Sequence, residues 1–181
     1  MKKERSITNY LLAAVGLVGL MFVGALAPNV FVAFGAFIPK AKYSKRQIIN
    51  ACYYAKKSKL VSVAYDREKT IIKLTKEGKE KLLKFRFDGL KLQIQKKWDK
   101  KWRLVVFDIP ENHKQGRNAF SAKLREMGFF QFQKSVWITP YPCEDEIDFI
   151  KEIYEIRNFV RVITAEKIDI QTDLMKYFSL R

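Results

Sequence analysis

A chain of 181 residues that is 48% hydrophobic can bury one large or two small cores, which excludes a disordered polymer. Its formal net charge of +16 is unevenly placed: residues 1–101 hold 23 Lys+Arg against 7 Asp+Glu, and residues 102–181 hold 12 against 12. That excess calls for a polyanion, nucleic acid or an anionic membrane surface, while two cysteines without metal-ligand spacing, Cys52 and Cys143, exclude a disulfide framework or zinc knuckle and suit a reducing compartment.

No charged residue occurs from Ser6 to Pro39, and Tyr10 to Ala27 is almost wholly apolar. A helix from Ile7 to Ala27 would measure about 31 Å, close to the hydrocarbon thickness of a bilayer. Three readings stand for residues 1–39. One is a membrane helix tethering a cytoplasmic protein to the inner membrane, and the second is a buried first helix of the next domain. The third is a cleaved signal peptide ending at Ala25-Leu26-Ala27, against which Pro28 and the apolar run Val30 to Ile38 argue.

Within residues 40–85, Ser44-Lys45-Arg46-Gln47 fits a capping box, and Ile48, Ile49, Cys52 and Tyr53 form an apolar stripe along a helix ending at Lys56-Lys57. Leu60 to Ala64 and Thr70 to Leu74 are β-rich runs flanking a charged tip, Tyr65 to Lys69, and Thr75 caps a basic helix running toward Phe85. Residues 86–101 are a basic linker: Lys91, Lys96, Lys97, Lys100 and Lys101 interleave with Leu90, Leu92, Ile94 and Trp98, as in an extended arm lying along a phosphate backbone.

Residues 102–168 hold the most complete pattern. Trp102 to Phe107 is a buried strand that stops at Asp108 and Pro110. Phe120, Leu124 and Met127 mark one face of a helix ended by Gly128, and Phe130 to Gln133 and Ser135 to Thr139 form a hairpin about Lys134. Ile147, Ile150 and Tyr154, with Phe149, Ile153 and Ile156 beside them, give a second helix a wide apolar face before a last strand, Phe159 to Ala165. The order βαββαβ is that of a ferredoxin-like split βαβ domain, with residues 169–181 adding a short helix.

The motifs WRLVVFDIP, LREMGFFQFQKSVWITPYP and VRVITAEKI resemble the central domain of the phenylacetate-catabolon repressor family of transcriptional regulators. That domain is itself similar to the small CRISPR-associated endonuclease of the spacer-integration complex. The resemblance covers residues 98 to 165 well and residues 43 to 85 more loosely. It implies an α+β chain: an N-terminal apolar helix and winged helix-turn-helix, then the ferredoxin-like domain. It also implies a recognition helix in which Lys45, Arg46, Gln47 and Asn50 meet duplex DNA, a wing whose Arg67 and Lys69 touch phosphates, and a homodimer.

Asp108 is the candidate for catalysis. In the endonuclease that the domain resembles, the matching aspartate lies at a dimer axis, where two copies could hold a magnesium ion between oxygen ligands. The competing reading is an aspartate that only caps the turn fixed by Pro110. His113, the only histidine, lacks a catalytic partner, and Glu144-Asp145-Glu146 with Asp148 suits a helix start better than a metal cluster. Two functions are therefore weighed, a DNA-binding regulator and a magnesium-dependent nuclease or integration scaffold. The concentration of charge outside the ferredoxin-like domain favours the first.

Overall fold

The computed structural model describes residues 2–18, 21–23, 44–66, 69–95 and 97–180. It divides into two units, Met1–Asp88 and Gly89–Arg181.

In the first unit, helix α1 (Lys2–Val18) buries Ile7, Leu11, Leu12 and Val15, which share one face at helical spacing. They pack on Ala51, Cys52 and Ala55 of α2 (Lys45–Lys57) and on Leu60, Val61 and Ile72. Strand β1 (Met21–Val23) pairs antiparallel with β3 (Lys69–Leu74), which pairs in turn with β2 (Val61–Asp66), giving the sheet order β1-β3-β2. A single apolar helix from Ile7 to Ala27 does not form. The helix stops at Val18, and Met21–Val23 satisfies its backbone against Thr70–Ile72 instead. Among the described residues no helix is long and apolar enough to cross a membrane, so the membrane reading has no support there. The apolar surface of α1 faces a protein core.

Helix α2 closes with a Schellman turn: Lys59 N–H donates to Lys56 O at 3.0 Å and Leu60 N–H to Ala55 O at 2.9 Å, with Lys59 at φ 54°. Thr75 then ties helix α3 (Lys76–Asp88) to that turn. Its hydroxyl donates to Lys59 O at 2.6 Å and accepts from Gly78 N–H at 3.0 Å, and its own N–H donates to Leu60 O at 3.1 Å. Gly78 is required here, since a Cβ would lie 1.9 Å from the Leu60 carbonyl oxygen.

The second unit is an antiparallel sheet of order β5-β6-β4-β7, from β4 (Trp102–Phe107), β5 (Phe130–Gln133), β6 (Val136–Thr139) and β7 (Val160–Ala165). Helix α4 (Lys114–Glu126) joins β4 to β5, and α5 (Glu144–Ile153) joins β6 to β7, so each helix crosses between strands that are not neighbours. This is the split βαβ order expected from the sequence. Phe107 meets Phe120 of α4 edge-on at 5.2 Å, and Arg125 of α4 lies 5.5 Å over the Trp137 ring, so residues in step with Val105 face the helices.

The opposite face carries Trp102, Leu104, Ile138 and Phe130, and the chain covers much of it itself. Helix α6 (Gln171–Tyr177) and its flanks place Leu174, Met175, Phe178, Ile168 and Ile170 on Trp102 and Ile138. Trp137, by contrast, is 1% exposed on the helix side, and Phe130 meets Tyr177 edge-on at 5.1 Å. Phe132 and Ile163, on the two edge strands β5 and β7, stay open at 40% and 49% exposure.

Candidate nucleic-acid interface

Helix α2 begins where Ser44 makes the capping box. Ser44 Oγ accepts from Gln47 N–H at 3.3 Å, and Ser44 N–H donates to Gln47 Oε1 at 3.0 Å. Gln47 thus spends its carbonyl oxygen on the cap and is half-buried, which separates it from the other residues proposed to read DNA. Arg46 and Asn50 are exposed, and so are Tyr53, at 68%, and Lys57. At 100° per residue these four lie within about 60° of one another, opposite Ala51 and Ala55. They form a single polar-aromatic stripe.

Tyr53 is the correction. As an aromatic at helical spacing from Ile49 it reads as core, but α1 fills that space with Leu11, Leu12 and Val15 and leaves the ring outside. Tyr54 beside it has another role, with Lys81 Nζ of α3 5.1 Å from its ring centroid. The spacing Arg46, Asn50, Tyr53, Lys57 could have revealed the stripe once the helix was recognised.

The electrostatics of α2 run in one direction. It contains Lys45, Arg46, Lys56 and Lys57 and no acid. Cations in a first turn oppose the helix dipole and cost stability, while adding to the positive potential that an anion meets there. Lys69 opens β3, paired with Asp66 at the end of the hairpin, and Arg67 lies outside the described residues. Of the four cations expected to read and clamp DNA, the three described ones, Lys45, Arg46 and Lys69, thus fall on two elements, α2 and the β2–β3 hairpin.

Asp108 follows β4 in the second unit. Its N–H donates to Phe159 O at 3.0 Å, while its exposed carboxylate makes no hydrogen bond or ion pair with a described residue. A side-chain cap of the turn is therefore not made. The turn is held instead by buried Ile109 and by Arg117, which donates to Ile109 O at 3.4 Å and to the Glu111 carboxylate at 2.9 Å. Hydrogen bonds from Lys114 and Arg117 hold the Glu111 carboxyl below its usual range. Among the described residues no group of three or more His, Cys, Asp or Glu side chains could hold a metal, so a magnesium site at Asp108 would need carboxylates from a second copy. His113 stacks at 5.4 Å from Phe159, and Glu144 accepts the Cys143 N–H at 2.9 Å at the start of α5. Burial pushes the Cys52 and Cys143 thiols up to about 12, as suits inert fillers.

No curated protein matches the chain. Residues 95–176, within the second unit, match the family model described as the PaaX protein central Cas2-like domain, and this part of the chain is similar to that domain.

Proposed function

We propose that this protein is a PaaX-like transcriptional regulator whose first unit is a winged helix-turn-helix presenting α2 to the major groove of duplex DNA. The observation that carries the reading is the stripe Arg46, Asn50, Tyr53 and Lys57, exposed along one side of a helix that has no acid. The order of elements supports it: a first helix, a strand β1 laid on β3, and a helix α2 followed by the hairpin β2–β3, with Lys69 opening β3. In this role Asn50 and Tyr53 read base edges, while Arg46, Lys57 and the wing cations grip phosphates.

Titrating the full chain with duplex DNA at several salt concentrations tests this. Affinity should fall steeply with salt, and Arg46→Ala and Lys57→Ala should each weaken binding and flatten the slope by about one unit. Unchanged affinity and slope in both variants would overturn the assignment of α2.

The same reading makes the protein a homodimer through the second unit, using the surface around Ile163 on edge strand β7, which α6 leaves bare. A sedimentation measurement in which Ile163→Arg converts a dimer to a monomer supports it. A monomeric wild-type chain argues against it.

A further inference from the structure

Helix α2 carries two carboxamides, Gln47 and Asn50, and they differ in what remains of their hydrogen-bonding capacity. Gln47 Oε1 accepts the Ser44 N–H at 3.0 Å to complete the capping box, and the residue is half-buried. Asn50 is exposed, and its side chain makes no hydrogen bond with a described residue. It therefore presents a carbonyl acceptor and an N–H donor side by side. The other hydrogen-bonding side chains on the stripe are the Arg46 and Lys57 cations, which only donate, and the single hydroxyl of Tyr53.

Arg46 and Lys57 lie on either side of Asn50 and stand about 16 Å apart along the helix axis. The major groove of duplex DNA is about 12 Å wide. A helix laid across it sets these two cations against opposite phosphate walls. Asn50, about 6 Å along the axis from Arg46, then faces the base edges between them.

Each base offers a different edge to that amide. Adenine presents an N7 acceptor beside an N6–H donor, so the Asn50 N–H donates to N7 while the Asn50 carbonyl oxygen accepts from N6–H. Guanine presents two acceptors, N7 and O6, and would set O6 against the Asn50 oxygen. Cytosine and thymine satisfy only one half of the amide. We propose that Asn50 selects an adenine in the DNA that α2 binds, a specificity that rests on the DNA-binding reading of the stripe.

The test selects the preferred site of the full chain from a random duplex pool, then measures affinity with each of the four base pairs in turn at every position of that site. The wild type should show one position where adenine is bound about tenfold more tightly than guanine, as expected for one bidentate pair. Asn50→Ala, an exposed change to a better helix former, should bind all four base pairs alike at that position and keep the wild-type salt slope. Arg46→Ala should instead weaken binding to every duplex and keep the adenine preference. An adenine preference that survives Asn50→Ala, or wild-type binding that falls with salt yet favours adenine nowhere, would overturn the proposal and leave the DNA-binding reading standing. Absence of salt-dependent binding to any duplex would remove both.

Discussion

Arg103 on β4 donates from Nη1 and Nη2 to both carboxylate oxygens of Asp99, at 2.8 and 2.5 Å, and also donates to Pro140 O at 3.2 Å. This fork fastens the segment before β4 to the loop after β6. Lys101 N–H adds a bond to Asp99 at 3.1 Å, and Trp98 Nε1 donates to Lys101 O at 3.0 Å while its ring meets Trp102 at 4.8 Å. Residues 98–101 are thus part of the second unit's fold.

Asp99→Ala should leave the buried Arg103 guanidinium without its partner. Because the Asp99 side chain is 33% exposed, the expected loss is about 1–3 kcal/mol, less than for a fully buried pair. The Arg103 hydrogen bond holds the Asp99 carboxyl below its ordinary value of 3.8, so the unfolded chain binds the proton more readily. The contribution is therefore complete above about pH 4 and fades as the pH falls through the folded value, which acid titration of wild type and variant will resolve.

Gly78→Ala should destabilise the first unit by about 1–3 kcal/mol or more, since its methyl would overlap the Leu60 carbonyl and push α3 off the turn after α2. Thermal melts followed by circular dichroism measure this. A melting temperature equal to wild type would contradict the close approach.

Lys59→Gly should stabilise the same unit by about 0.5–1 kcal/mol, because a residue with a Cβ is held at φ 54° in the Schellman turn. Chemical denaturation of the two proteins gives the sign directly.

Leu174→Ala should cost about 2–5 kcal/mol, as expected for a fully buried leucine, and should expose the Trp102 indole. A red shift and quenching of tryptophan emission before global unfolding would report the loosening of α6.

Asp108→Ala should leave the stability of the isolated chain within about 0.5 kcal/mol, because the carboxylate holds nothing in place. Assays on single-stranded RNA and duplex DNA with magnesium and with chelator address its other possible role. Cleavage that requires magnesium and disappears in Asp108→Ala would establish the nuclease function over the regulatory one.

The sequence by itself determined the second unit closely. An apolar run ending at Asp108 and Pro110, alternation at Phe130 to Gln133, and helical stripes at Phe120/Leu124 and Ile147/Ile150 are local periodicities, and each element obeys them. The capping box at Ser44 was equally local, and it opens α2 as its residues require. Tertiary structure alone decided which apolar surfaces found partners. The segment beginning at Ile7 has the same hydropathy whether it enters lipid or a core, and only pairing of Met21–Val23 with β3 and packing of Leu11 and Leu12 on Ala51 and Ala55 distinguish the two. Tyr53 left the core because α1 had already filled it, Asp108 was released from capping by Arg117 and Ile109, and the open sheet face was largely covered by Leu174. Each outcome depends on residues far away along the chain, and burial is a competition for shared volume that no local period records.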